Sequence, residues 1–186
     1  MEQLPTLTTE RLQLTPFTAS DIPVIVQYAN NPNVSAYTLN MPYPYAEKDA
    51  IYWINSSNQG FQQKNNYLFA VRLKETLEFI GGVGLRVEAR FSQAELSYWV
   101  AEPFWGQGYI TEAAQAAIEF GLKILALNKI TAHYIDKNMA SGKVMEKCGM
   151  QKEGELKEHV CKNGVFHNII MYGITKTDYA SMQSSR

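Results

Sequence analysis

SYWVAEPFWGQGYITEA, residues Ser97–Ala113, runs from a strand-like segment through a glycine-containing loop directly into a helix-like segment. The first turn of a helix leaves backbone N–H groups unpaired and carries about half a positive charge. Because Gly106 and Gly108 let the backbone approach a ligand closely, this loop is suited to bind phosphate. It equally fits a plain strand-to-helix turn, and it lacks the Lys-Ser/Thr pair of a P-loop. On this loop alone, a nucleotide-binding protein is an alternative.

The residues after the loop predict the most regular helix of the chain. Between Ile110 and Leu127, apolar side chains recur with a period of about 3.6 residues. Polar side chains interrupt this run at positions 112, 115, 119 and 123. The run therefore differs from the roughly 20 apolar residues that span a membrane, and we expect no transmembrane segment.

Short runs rich in β-branched and aromatic residues lie on both sides of this helix and predict strands. They are RLQLTPF (11–17), YLFAVRL (67–73), EFIGGVGLRVE (78–88), AELSYWV (94–100), KITAHYI (129–135), KEGELKEHVCK (152–162) and VFHNIIMYGIT (165–175). Between the last two runs, Asn163-Gly164 is typical of a tight hairpin turn.

Three further helices are predicted, in DIPVIVQYAN (21–30), around Ala50, Trp53 and Ile54, and in ASGKVMEKCGM (140–150). A stiff aromatic loop, MPYPY (41–45), precedes the second of these, and we interpret it as a lid. The order of elements predicts an α+β (mixed α/β) fold with a mostly antiparallel sheet of six to seven strands and about four helices. We expect a single domain over 1–186, with a frayed tail over 181–186.

Composition excludes several classes of function. The 186 residues include 17 Lys and Arg and 18 Asp and Glu, so the sequence lacks the excess of basic residues that is typical of nucleic-acid binding. Two cysteines, and an N-terminus (MEQLPTLTTE, 1–10) without the apolar region of a signal peptide, predict a cytoplasmic protein. No histidine or cysteine has the spacing of a known metal motif. We therefore expect no metal, no nucleic acid and no membrane among the partners.

Four segments, in order along the chain, resemble successive landmarks of one enzyme family. WGQGYITEA (105–113) resembles the acyl-CoA pyrophosphate-binding motif Q/R-x-x-G-x-G/A of the GCN5-related N-acetyltransferases, the GNAT family. LTTERLQLTPFTASDI (7–22), AELSYWV and NMASGKVMEKCGMQKEGE (138–155) resemble the RimJ/RimL-type branch, which acetylates ribosomal-protein N-termini. Trp105 stands where the motif usually has Gln or Arg. The resemblance implies a GNAT-type acyl-CoA N-acyltransferase fold, with the sheet splayed between predicted strands 4 and 5.

The resemblance also implies a set of cofactor-binding residues. Acetyl-CoA would lie between AELSYWV and KITAHYI, with its pantetheine arm paired to strand backbone and its pyrophosphate in the glycine loop. The helix after KITAHYI would face the pantetheine and one phosphate. The implied residues are Trp99, Val100, Gly106, Gln107, Gly108, Ile110, Thr111, Asn138, Ser141 and Lys143.

Several of these residues also have a purely structural interpretation. Asn138 fits the N-cap of the following helix, with Ser141 at its N3 position. Thr111 favours a helix N-terminus in any protein. Lys143 fits a solvated helix charge, and Trp99 fits a half-buried sheet aromatic.

Amine acetylation needs a proton acceptor, a donor to the developing oxyanion and support for the leaving thiolate. Strand alternation puts Glu95 on the face of Trp99, and we assign it as the general base, acting through water, with His133 as the alternative. Ser141 is expected to donate a hydrogen bond to the sulfur, and the backbone N–H near Val100 to stabilise the oxyanion. Candidates for a tyrosine acid are Tyr98, Tyr109, Tyr134 and Tyr172.

Together these assignments predict an acetyl-CoA-dependent N-acetyltransferase that acts by direct attack, since Cys148 fits a small core residue better than an acyl carrier. A protein N-terminal α-amino group is the preferred acceptor, because a lysine amine near pKa 10.4 costs about 3 kcal/mol more to deprotonate than an α-amine near 8. The alternatives are a small amine (a polyamine, an amino acid or an aminoglycoside) and a non-catalytic CoA-binding module. Edge aromatics and the hairpin are compatible with a homodimer.

Overall fold

Eight strands form one open sheet in the computed structural model, which describes residues 3–184. Across the sheet the strands lie in the order β1-β2-β3-β4-β5-β6-β8-β7, and only β5 and β6 are parallel neighbours. In chain order they are β1 (Leu7–Thr8), β2 (Leu12–Thr15), β3 (Asn66–Leu73), β4 (Phe79–Glu88), β5 (Gln93–Val100), β6 (Lys129–Ile135), β7 (Gln151–Lys162) and β8 (Val165–Thr175).

Helices cover both faces of this sheet. Within the described range they are α1 (Ile22–Ala29), α2 (Pro32–Tyr37), α3 (Glu47–Gln62), α4 (Tyr109–Glu119), α5 (Met139–Lys147) and α6 (Lys176–Ser184). A π-helical segment, Phe120–Ile124, continues α4, so the long helix predicted over 110–127 changes its winding before it ends. Across residues 3–184, none of these helices has both the length and the apolar character needed to cross a bilayer.

The predicted architecture is confirmed, and the structure adds three elements to it. All seven predicted strands and all four predicted helices are present in a mixed, mostly antiparallel arrangement. The additions are β1, α2 and α6. Strand β1 has two residues and α2 has six, which is too short for a hydrophobic period to be recognised in the sequence.

Helix α6 differs from what the sequence predicted for the chain end. It includes residues 181–184, where a frayed tail was expected, while residues 185 and 186 lie outside the described part. Thr175 and Asp178 exchange hydrogen bonds between side chain and backbone at the start of the helix. Tyr179 is buried in the main core and holds the helix against the sheet.

The sheet opens between β5 and β6. The two strands pair over three positions only, from Gln93 with Lys129 to Glu95 with Thr131. Beyond Glu95 they part, while β5 stays paired with β4 and β6 with β8. This is the splay that the family resemblance implied. Because strand edges carry unpaired N–H and C=O groups, both edges of the gap offer hydrogen bonds to a ligand.

The two faces of the sheet have separate hydrophobic clusters. Ile118 of α4 and Met145 of α5 belong to the larger cluster, whereas Ile54 of α3 and Trp99 of β5 belong to the other. Side chains alternate along β5, so Trp99 points to the α3 side and Tyr98 to the α5 side. A molecule that passes through the gap would therefore connect the α4–α5 face with the α3 face.

A close approach of β4 to β5 shapes one wall of the gap. A Cβ placed on Gly81 would lie 2.9 Å from Val100 Cα and would overlap the Trp99 carbonyl oxygen. Both neighbours are backbone atoms, so they cannot move aside without displacing β5. Glycine at this position therefore keeps the wall in place.

We expect Gly81→Ala to lower the free energy of unfolding by about 1–3 kcal/mol, the usual cost of overpacking. Gly154→Ala is the matched control, because a Cβ at that position meets nothing within 4 Å. Urea denaturation of the two variants measures the difference. Equal stability would show that β5 does not lie this close to β4.

Candidate active site

A continuous cavity of about 1170 Å³ runs through the gap between β5 and β6. At one end it is lined by the glycine loop and α5. At the other it is lined by Met41, Pro42 and Tyr45, from the aromatic loop that we interpreted as a lid. The cavity lining includes most of the residues singled out from the sequence, namely Glu95, Trp99, Val100, Gly106, Gly108, Ile110, Thr111, Asn138, Ser141 and Lys143.

The loop that leads into α4 has the geometry of an anion-binding collar, which we define as residues 106–111. Gly106 and Gly108 have φ values of 74° and 80°, in the left-handed region that disfavours a side chain. The first backbone hydrogen bond of α4 runs from Glu112 N to Gly108 O (3.1 Å), so the N–H groups at 109–111 have no acceptor within their helix. A Cβ on Gly106 would meet nothing within 4 Å. An open loop with clustered N–H groups fits a diphosphate.

Gln107 contributes to the collar through its backbone. Its side chain is turned back, because Nε2 donates to Pro103 O (3.0 Å). Its carbonyl oxygen accepts a hydrogen bond from Arg11 Nη1 (3.0 Å). Of the residues that the resemblance implied, Gln107 is the one that does not line the cavity.

The backbone of β5 presents alternate residues to the gap. Ala101 N donates to a β4 carbonyl (2.8 Å), and Trp99 pairs with Gly82 of β4 two residues earlier. Antiparallel strands alternate in this way, so the backbone groups of Trp99 face β4, while those of Tyr98 and Val100 face the gap. Trp99 therefore contributes its side chain to the cavity, and Val100 contributes its N–H.

Two indole groups bound this wall. Trp105 Nε1 donates to Val100 O (2.7 Å), and its ring packs edge-on against Tyr37 of α2 at 6.3 Å. The position that usually carries Gln or Arg in the motif thus ties the collar to β5 and α2. Trp99 Nε1 is buried and has no hydrogen-bond partner among the described residues. An acceptor atom of a ligand would satisfy it.

The second arm of the site starts at the N-terminus of α5. Asn138 is its N-cap, since Oδ1 accepts from Ser141 N (3.1 Å), as the structural interpretation predicted. Asn138 Nδ2 donates to Tyr37 O (2.9 Å), so the same side chain ties α5 to α2. Lys143 is exposed at the mouth of the cavity, where a phosphate group could reach it.

Ser141 is paired with one of the tyrosines that the sequence left unplaced. Tyr98 Oη donates to Ser141 O (3.0 Å) and lies 2.9 Å from Ser141 Oγ. Burial raises the pKa of Tyr98, so its phenol stays protonated. The phenol has one hydrogen. While Tyr98 donates it to the Ser141 carbonyl, the Ser141 hydroxyl donates its own hydrogen to the phenol oxygen. When the phenol donates to Oγ instead, the serine hydrogen is available to a ligand.

The other candidate tyrosines lie in contacts of a different kind. Tyr134 and Tyr172 pack against each other at 6.0 Å, and Tyr172 Oη donates to Glu146 (2.9 Å). The centre of the Tyr109 ring lies 4.5 Å from the guanidinium carbon of Arg11, which stacks over it. Tyr98 is thus the candidate in contact with Ser141.

Glu95 is bound by two partners at the point where the strands part. His133 Nδ1 lies 3.0 Å from Oε1, and Arg86 donates to Oε2. The hydrogen bond from His133 lowers the pKa of Glu95 from 4.5 to about 2; burial opposes this shift and the bond from Arg86 adds to it. Glu95 is therefore ionised at neutral pH, and so low a pKa makes it a weak proton acceptor.

A second cavity, of about 790 Å³, adjoins the first at Glu95. It lies between the end of α3 and strands β4–β6 on the α3 face. Its wall includes the charged side chains of Arg86, Glu88 and Glu95 and a group of hydroxyl and amide side chains that both donate and accept hydrogen bonds. The hydroxyl and amide residues are Ser56, Gln59, Gln63, Asn65, Asn66, Gln93 and Thr131. In the sequence, the only sign of this cavity is the run of polar residues at the end of α3, which by itself indicates no binding site.

Cys148 is a core residue, as predicted. It is 2% exposed, and burial raises the pKa of its thiol to about 12. A buried, protonated thiol does not act as an acyl carrier. Over residues 3–184, no group of three or more His, Cys, Asp or Glu side chains is placed to hold a metal ion.

Known proteins match both the sequence and this geometry. The acetyltransferase (GNAT) domain matches residues 11–151. The chain belongs to the GNAT acetyltransferase family. It is 32% identical to the uncharacterized N-acetyltransferase p20 of Bacillus licheniformis, over 94% of this chain and 98% of that protein.

Two further similarities concern proteins that are named as ribosomal-protein acetyltransferases. The [ribosomal protein uS5]-alanine N-acetyltransferase of Escherichia coli is 25% identical, over 66% of this chain and 64% of that enzyme. The solved structure of RimL, a ribosomal L7/L12 α-N-protein acetyltransferase in complex with coenzyme A, is 21% identical and aligns over 94% of this chain and 98% of that one with a TM-score of 0.83. As a member of the GNAT family, this chain is an N-acetyltransferase that uses acetyl-CoA, as the sequence predicted.

Glu95 should make the stability of the protein depend on pH. Its folded-state pKa lies below the ordinary 4.5, so its ionised form stabilises the fold above that pH, and this contribution is lost as pH falls toward about 2. We expect the unfolding free energy of the wild type to exceed that of Glu95→Gln near neutral pH, with a difference that shrinks below about pH 4.5.

Urea denaturation as a function of pH measures this difference. Glu75→Gln, on the exposed turn between β3 and β4, is the control for removal of a surface carboxylate. A difference that stays constant down to about pH 2.5 would contradict the hydrogen bonds assigned to Glu95.

Proposed function

We propose that this enzyme transfers the acetyl group of acetyl-CoA to the N-terminal α-amino group of a protein, by direct attack of the amine on the thioester. The second cavity carries this proposal, because it extends the site beyond the reacting amine. Similarity to a protein named as a ribosomal-protein-alanine N-acetyltransferase, and to one named as an α-N-protein acetyltransferase, supports a protein acceptor.

The donor side of the proposal follows the geometry of the first cavity. The N–H groups of the collar, residues 106–111, would bind the diphosphate, and Lys143 a phosphate at the mouth. The gap-facing backbone of Tyr98 would pair with the pantetheine arm, opposite Asn138 and Ser141 on α5, and would leave the Val100 N–H for the reacting end of the donor. Bound acetyl-CoA supplies an activated acyl group and a thiolate leaving group.

The proton of the attacking amine would pass to His133 rather than to Glu95. Glu95 accepts the Nδ1 hydrogen of His133 in a 3.0 Å hydrogen bond, which leaves Nε2 as an acceptor. A carboxylate with a pKa of about 2 holds a proton poorly, but its hydrogen bond to Nδ1 fixes the orientation and the tautomer of the imidazole. Glu95, the base that the sequence favoured, is therefore assigned as the positioning residue, and His133, the alternative, as the base.

The amine that suits this pair is an α-amine. With a pKa near 8, about a tenth of it is already neutral at pH 7, whereas a lysine or polyamine near 10.4 needs about 3 kcal/mol more. A single imidazole, hydrogen-bonded to a weakly basic carboxylate, is sufficient to deprotonate an α-amine. The acceptor chemistry thus favours an N-terminus over a lysine side chain or a polyamine.

The oxyanion and the leaving sulfur would be met by groups on the two arms of the splay. Val100 N–H faces the gap and is suited to stabilise the oxyanion. Ser141 would donate its hydroxyl hydrogen to the sulfur when Tyr98 donates to Ser141 Oγ, which lies 2.9 Å from the phenol. Tyr98 therefore controls the direction of the serine hydrogen rather than giving up its own proton.

The polar second cavity favours a peptide over a small amine. It starts at Glu95, beside the reacting centre, and its amide side chains match the alternating donors and acceptors of a peptide backbone. A single amino acid would leave it empty, and a polyamine, which has no carbonyl groups, would leave the donor groups of the cavity's amides unpaired. The residues that follow the acetylated N-terminus would bind there.

An acceptor panel tests this assignment. We expect a short peptide with a free N-terminus to give a higher kcat/KM than the corresponding amino-acid amide, spermidine or an aminoglycoside, because only the peptide offers backbone donors and acceptors to the amides of the second cavity. Thiol release measures the rate, and mass spectrometry locates the acetyl group. Gln59→Ala/Gln93→Ala should lower kcat/KM for the peptide and leave that of the amide unchanged. Transfer to small amines but to no peptide N-terminus would overturn the proposal.

Single substitutions test the catalytic roles. We expect His133→Gln to lower kcat by about 10²–10⁴-fold, the usual contribution of a general base, and Glu95→Gln by less, because the imidazole remains. Ser141→Ala should lower kcat while CoA affinity, measured by calorimetry, stays near that of the wild type. A larger loss for Glu95→Gln than for His133→Gln would return the role of base to Glu95.

A further inference from the structure

Arg11 lies behind the collar, on the side away from the cavity. It belongs to the segment TTERL, which the sequence analysis noted only as a family landmark. Its Nη1 donates to Gln107 O (3.0 Å), and its Nε donates to Glu112 Oε2 (2.7 Å). Its guanidinium stacks over the Tyr109 ring at 4.5 Å. Arg11 therefore contacts both the loop before α4 and the first turn of α4.

The bond to Gln107 determines where a neighbouring N–H points. In a trans peptide, the carbonyl of one residue and the N–H of the next point in opposite directions. Arg11 holds the Gln107 carbonyl on the back of the collar. The Gly108 N–H is consequently directed to the front, where the collar opens to the cavity.

The bond to Glu112 controls a charge that would oppose an anion. Burial raises the pKa of Glu112, but hydrogen bonds from Thr9 Oγ1 (2.6 Å) and from the backbone and side chain of Arg11 outweigh it and leave the pKa below its usual value. An ionised carboxylate therefore lies in the first turn of the helix whose N-terminus forms the collar. The guanidinium of Arg11 neutralises it.

We propose that Arg11 is a positioning residue for the diphosphate of the donor: it aims the Gly108 N–H at the anion and cancels the charge of Glu112 beside it. The proposal rests on the use of acetyl-CoA and is independent of the acceptor. It also explains why the turn between β1 and β2 packs on the start of α4, since Thr9 and Arg11 both bind Glu112.

The test compares donors with and without the diphosphate. We expect Arg11→Gln to raise the calorimetric Kd for CoA by about tenfold or more, as charge-assisted hydrogen bonds are lost. With acetyl-pantetheine as donor, which has no diphosphate, kcat/KM should equal that of the wild type. Arg90→Gln, an exposed arginine stacked on Phe91, is the matched control and should change neither value.

A double variant separates positioning from a general loss of structure. Arg11→Gln/Glu112→Gln should bind CoA more tightly than Arg11→Gln, because the uncompensated carboxylate is gone. An equal loss with acetyl-pantetheine and acetyl-CoA would overturn the proposal, since it would show a defect of the whole site. An unchanged Kd for CoA in Arg11→Gln would also overturn it. The calorimetric Kd for CoA needs no acceptor, and the kcat/KM with acetyl-pantetheine can be measured with any amine that the wild type acetylates, so these outcomes differ from a failure of the proposed function.

Discussion

The parting of β5 from β6 after Glu95 is the constraint on which the site depends. In a continuous sheet the backbone groups of β5 and β6 would hydrogen-bond to each other along their whole length. The path between the two faces of the sheet would then be closed. Here only three residue pairs join the strands, and the N–H and C=O groups beyond them face a gap. The outer neighbours β4 and β8 keep both strands in place, so the gap is rigidly framed.

The gap separates two kinds of chemistry. On the α4–α5 side lie the collar and the hydroxyl pair of Tyr98 and Ser141, which suit an anion and a thiol. On the α3 side lie Glu95 and His133, next to a cavity lined by amides. Alternation along β5 divides them, because Tyr98 and Glu95 point to opposite faces of the same strand. Donor and acceptor can thus approach each other from opposite sides of the sheet.

Much of the fold could be predicted because its signals are local. Strand runs, the Asn163-Gly164 hairpin and the N-cap of α5 by Asn138 each depend on a few neighbouring residues. The pairs of residues that meet at the candidate site are different. Tyr98 and Ser141 are 43 positions apart, and Arg11 and Glu112 are 101 apart. No period or spacing relates such residues, so the sequence listed them on separate elements without joining them.

The sequence by itself determined the order and type of the main elements, the glycine loop before α4 and the membership of a family, because these depend on hydrophobic period, turn chemistry and contiguous motifs. Only the tertiary structure decided which groups surround each candidate proton acceptor. Glu95 reads as a base on its strand, but His133 and Arg86 approach it only when three strands align in register. A pKa is a property of such surroundings, and these form only in the folded chain.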